Sequence, residues 1–89
     1  LVMLNYRFKN LDIKHSGKDY LVNGLASYVV EDYEEDGRQA SFESVELFDA
    51  VGSIGLILDK DKLEPLKDDV ISVLNRDNHL CRVLGSRVF

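Results

Sequence analysis

Little in this chain points to covalent or cofactor chemistry. It has one cysteine, one proline and no tryptophan. The lone Cys81 excludes an internal disulfide framework and gives no sign of an oxidising compartment. No apolar run approaches the about 20 residues that a membrane-spanning helix needs. No charged opening followed by an apolar stretch marks a secretion signal. Met3 is expected to be the natural first residue, and the cytoplasm the expected location. A zinc site needs four ligands, and His15, His79 and Cys81 supply three without the usual paired spacing. No G-x-S-x-G elbow and no phosphate-binding glycine loop occurs. "GSIG" at Gly52–Gly55 copies the spacing of a nucleic-acid-gripping GxxG loop, but no basic residue follows until Lys60, so it reads as a connection. His79 and Cys81, two apart, would lie side by side on a strand; the reading is a half-buried thiol beside a surface histidine, not a nucleophile pair. The chain is therefore expected to be no enzyme, with no catalytic residues, no metal and no cofactor.

What is present is a small globular composition with one electrostatic anomaly. The 89 residues, 45% hydrophobic and 30% charged, make a single domain, 1–89. Net charge is −5, from 16 acidic and 11 basic residues. Five of the acids, Glu31, Asp32, Glu34, Glu35 and Asp36, fall in "EDYEED"; the rest of the chain carries 11 of each sign. A balanced body lacks the basic face that phosphate neutralisation requires, so nucleic acid is not an expected partner. A membrane is not expected either.

Period-two alternation dominates the first half. Leu4, Tyr6 and Phe8 mark a strand, and the slip to odd parity at Leu11 and Ile13 predicts a bulge near Lys9–Asn10. Ser16–Gly17 fits the centre of a two-residue turn, setting Lys14 opposite Asp19, Ile13 opposite Tyr20 and Leu11 opposite Val22. Tyr20, Val22, Ala26, Tyr28 and Val30 then share one face. Folding the chain back on Asp36–Gly37 as a second two-residue turn sets Arg38 opposite Glu35, Tyr28 opposite Val45, Ala26 opposite Leu47, Val22 opposite Val51 and Leu25 opposite Phe48. Val30 opposite Glu43 is a poor match, which points to a bulge near Glu43–Ser44. "SIGLIL" reads as a short strand or an extended connection.

From Asp59 the pattern turns helical. Asp61 and Glu64 resemble a capping box, and Pro65 is tolerable in a first turn. Leu66, Val70, Val73 and Leu74 recur at helical spacing and should lie on the sheet. The last segment, "HLCRVLGSRVF", reads as an edge strand or a tail. The expected fold is α+β: an antiparallel, hairpin-connected sheet of three to five strands packed on one helix in the C-terminal half.

"DYEEDGRQASFE", Asp32–Glu43, nearly spells a calcium loop: Asp32, Asp36, Gly37 and Glu43 fit the required places, but Glu34 replaces the third-position Asp or Asn. Such a loop needs a helix on each side. Here the flanks "LASYVV" and "SFESVELF" pair as strands, which separates Glu43 from the tip carboxylates. A solvated hairpin tip is the better reading, with a calcium-binding loop at 32–43 as the alternative.

The stretches "VNGLASY" and "ESVELFD", together spanning Val22 to Asp49, resemble small uncharacterised proteins encoded by phages and prophages, in which two such strands flank a polar loop. This chain departs from them in a loop that lacks proline and is strongly acidic. The resemblance supplies no catalytic residues to carry over. Joined to the acidic arm, it gives the expected function: a non-catalytic protein-interaction module whose partner presents a basic patch, bound through Glu31, Asp32, Tyr33, Glu34, Glu35 and Asp36. A DNA-mimic inhibitor is a further alternative, weakened because duplex DNA spreads charge along its length. Free sheet edges make a homodimer a further expectation.

Overall fold

The computed structural model describes residues 2–35 and 37–87. Three antiparallel strands, β1 (Leu4–His15), β2 (Lys18–Tyr33) and β3 (Gly37–Gly52), form a meander in the order β1-β2-β3. Two 3-10 turns, Lys60–Lys62 and Glu64–Leu66, lead into α1 (Lys67–Arg76) and α2 (Asn78–Ser86). The expected α+β architecture is what forms, and its helical layer consists of two short helices. The molecule is elongated, 44 × 22 × 17 Å. Among the described residues no helix is long and apolar enough to cross a membrane.

The first hairpin follows the sequence closely. Ser16 and Gly17 take positive φ (50° and 78°), as a two-residue turn matching strand twist requires. Lys14 faces Asp19, Ile13 faces Tyr20 and Leu11 faces Val22, and the register shifts between Phe8 and Leu11, where Asn10 adopts φ 51°.

The second hairpin differs from expectation. Its last partners are Tyr33 and Gly37, so three residues connect the strands instead of two. Gly37 has the expected positive φ (75°); Asp36, the other half of the predicted turn, lies outside the described residues. The connection is one residue longer and lies earlier in the chain than expected, so the register begins three residues away from the expected one. Arg38 faces Asp32, not Glu35; Tyr28 faces Phe42, not Val45; Ala26 faces Val45, not Leu47; Val22 faces Ala50, not Val51; and Leu25 faces Glu46, not Phe48. Two bulges in β3 then shift the register in steps. Glu43 is the extra residue opposite Ser27–Tyr28, within the stretch where a bulge is expected, and Phe48 is the extra residue opposite Asn23–Gly24. Each bulge restores an apolar side chain to the core face, so Ala40, Phe42, Val45 and Ala50 are all buried.

The bulges of β1 and β3 meet at Gly24. A Cβ there would lie 2.4 Å from the Glu46 carbonyl oxygen and 2.7 Å from the Phe8 ring, so only glycine fits. Beside it, Asn23 joins all three strands. Its Oδ1 accepts from the Asn10 backbone N–H (2.8 Å) and its Nδ2 donates to Asp49 Oδ1 (2.5 Å).

Leu66, Val70 and Leu74 bury their side chains in one cluster with Phe8, Ile13, Val22, Tyr28 and Phe42, and Val73 packs against it half-buried. Tyr6, Phe42 and Tyr28 set an aromatic row across the three strands, with ring centroids 6.0 and 5.5 Å apart. No side-chain cap starts α1: Glu64 ion-pairs with Lys67 (2.9 Å) instead of closing a capping box with Asp61. Asp77 breaks the helix and caps α2, its carboxylate accepting from Leu80 N–H (3.1 Å). Asn78–Ser86 is thus helical, not an edge strand or a tail; Val88 and Phe89 lie outside the described residues. His79 is exposed while Cys81 is buried, its thiol donating to the Leu74 carbonyl (3.4 Å), so the pair does not lie side by side.

Candidate functional site: the acidic hairpin tip

Strand alternation decides what the tip presents. Glu31 and Tyr33 are two apart on β2 and share its outer face. The Tyr33 hydroxyl donates to the Glu31 carboxylate. That hydrogen bond, followed by the carboxylate's charge, pushes the Tyr33 phenol above its ordinary value. The ring remains 45% exposed. Asp32, on the opposite face, lies 3.6 Å from Arg38 Nε across the strand pair. Regular pairing stops at Tyr33, so Glu34 sits with Glu35 in the exposed connection and does not continue a strand face with Asp32.

Of the six residues expected to bind a partner, the structure groups Glu31, Asp32, Tyr33, Glu34 and Glu35 at one end of the long axis; Asp36 lies outside the described residues. Two of the acids have companions inside the tip, Glu31 with Tyr33 and Asp32 with Arg38, while Glu34 and Glu35 are the outermost described charges. Glu43, twelfth in the calcium-like pattern, is the bulge residue opposite Ser27–Tyr28, several residues down the strands from the Tyr33–Gly37 end. Among the described residues no three of His, Cys, Asp and Glu gather as metal ligands would.

Sequence reasoning passed over a second exposed feature at the other end of β3. The chain turns at Ser53–Gly55 and pairs back, with Ile57 opposite Val51. Ile54 (82%), Leu56 (60%) and Ile57 (70%) stand in solvent beside a hollow of about 290 Å³ lined by Tyr20, Gly52 and Leu58. The signal was available: three large apolar residues in a segment that glycines at 52 and 55 prevent from continuing a core strand.

Compared with known protein families, curated proteins and solved structures, the chain matches none of them.

Proposed function

We propose that this protein is a non-catalytic binding domain whose acidic hairpin tip docks onto a basic patch of a partner protein. The observation that carries the reading is Tyr33. An aromatic ring, half in solvent, stands among carboxylates with its hydroxyl already satisfied by Glu31. Rim charges mainly steer encounter, and buried aromatic anchors hold complexes together. The tip supplies both, at the end of an elongated body that keeps it clear of the core. A phage-type accessory or inhibitor role is compatible with this and draws its support from the strand resemblance.

The test takes the partner captured from the source organism and measures binding kinetics at two ionic strengths. Replacing Glu31, Asp32, Glu34, Glu35 and Asp36 by their amides is expected to lower the association rate and flatten its salt dependence. Tyr33→Ala is expected to speed dissociation with the salt dependence intact. Unaltered rates in the amide variant would leave the tip a solvated turn and move the binding surface elsewhere.

A further inference from the structure

We infer that β1 is a self-pairing edge: two copies of this chain join their β1 strands antiparallel, about a twofold axis between Lys9 and Asn10, into one continuous six-stranded sheet. The inference starts from backbone direction. The two-residue turn makes His15 and Lys18 a mutually bonded pair, so along β1 the backbone groups of Ile13 and Leu11 also face β2. Beyond the bulge the same holds for Phe8, Tyr6 and Leu4, opposite Gly24, Ala26 and Tyr28. The N–H and C=O groups of Asn5, Arg7, Asp12 and Lys14 therefore point away from β2. All four residues are exposed, and among the described residues no further strand borders β1.

One register satisfies three independent requirements. Placing Arg7 of one copy opposite Asp12 of the other also places Asn5 opposite Lys14, and these are the outward-pointing positions. The twofold repeats both pairs, for about eight inter-copy backbone bonds. The outer face then carries two Arg7–Asp12 charge pairs. The inner face sets Tyr6 opposite Ile13, Phe8 opposite Leu11 and Leu4 opposite His15. Of these, Leu4, Tyr6 and Leu11 are only half-buried in the single chain, at the margin of its core.

The bulge favours a second copy over any other strand. An edge bulge normally blocks pairing, because its extra residue throws a straight partner out of register. Opposite its own copy, the same number of residues separates the paired positions in both strands. Lys9–Asn10 thus admits its own kind and resists foreign edges, a device for specificity as much as for solubility.

Sedimentation of the full chain across micromolar concentrations, with circular dichroism to check folding, tests this. The native chain is expected to dimerise. Arg7→Asp and Asp12→Arg, each setting like charges opposite one another, are expected to weaken dimerisation by about tenfold or more. The double variant R7D/D12R is expected to regain it. Asp12→Pro removes an N–H that β2 does not use and should give a folded monomer. A native chain that stays monomeric at high micromolar concentration overturns the inference. So does a dimer indifferent to these changes, which would point to association through Ile54, Leu56 and Ile57. None of these outcomes depends on the acidic tip.

Discussion

Along β3, the backbone groups that point away from β2 meet three different covers. Near the tip, α2 presses Gly85 against the strand so closely that a Cβ would lie 2.4 Å from the Arg38 carbonyl oxygen. In the middle, the Asn75 side chain imitates a neighbouring strand, accepting from Phe42 N–H (2.8 Å) and donating to the Phe42 carbonyl (3.0 Å). At the far end Gly52 N–H donates to the Leu56 carbonyl and Leu58 N–H to the Ala50 carbonyl, both at 2.9 Å. Along β1 there is a bulge and a row of exposed polar side chains. A sheet this small cannot leave two long edges unmanaged. This one shields the first with a packed helix and hydrogen-bond partners, and guards the second with a bulge and exposed polar side chains. The shielded edge is therefore where stability is concentrated, and the shaped edge is where recognition is free to occur.

The sharpest way to break that contrast is Gly85→Val. With backbone 2.4 to 2.8 Å from the new Cβ, α2 must lift from β3, at about 3 kcal/mol. A large drop in urea midpoint, with faster exchange of the Arg38–Phe42 amides, is the expected result. Asn75→Ala comes next: it removes both bonds to Phe42 and is expected to cost about 2 kcal/mol. It should expose the Phe42 amide to exchange while β1 amides keep their protection. Gly37→Val tests where β3 begins. At φ 75° a β-branched residue is strained, and the expected loss is about 1 kcal/mol or more in denaturation.

Alkaline pH offers a gentler probe of the same side. Burial first, and Asp77 second, push the Cys81 thiol up in the fold. The folded state thus holds this proton more tightly than the unfolded chain. Its contribution is complete below the ordinary thiol range and declines as pH rises through it and beyond, towards the raised folded value. Cys81→Ala should flatten that alkaline decline in a pH series of thermal midpoints. Smallest of all is Asp12→Ala on the β1 edge, expected to stay within about 0.5 kcal/mol of the native monomer. A large loss there would show that β1 is also a shielded edge and dissolve the contrast.

The first hairpin was legible because its turn, its parity slip and its charge pair are all local and all agree. The second was legible in kind but not in register. Asp36–Gly37 carries the dipeptide of a two-residue turn, yet the chain uses three residues there. Of the two β3 bulges, the one at Glu43 showed as a poor match to Val30, while the one at Phe48 was hidden because the wrong register gave Leu25 opposite Phe48 as an acceptable pair. α2 escaped because "NHLCRVLGS" is short and glycine-containing, and its stability comes from the tertiary seat against β3 and not from propensity. The tip was legible as charge. Its cross-strand pairing of Asp32 with Arg38 follows from register and was hidden with it, whereas the Glu31–Tyr33 contact follows from strand alternation alone.

The order of these elements along the chain has a consequence for how the protein is made. Both hairpins connect neighbours in sequence, so a meander can close as soon as β3 has left the ribosome. The covers of β3, however, are Leu56 and Leu58, then Asn75, then Gly85, all encoded after it. During synthesis the edge that ends up best shielded is bare for longest, and it is shielded in the direction of translation, from its far end back towards the tip. Chains truncated between Gly52 and Gly85 are the forms in which this sheet is most open to aggregation, and a chaperone that recognises strand edges would find its substrate there.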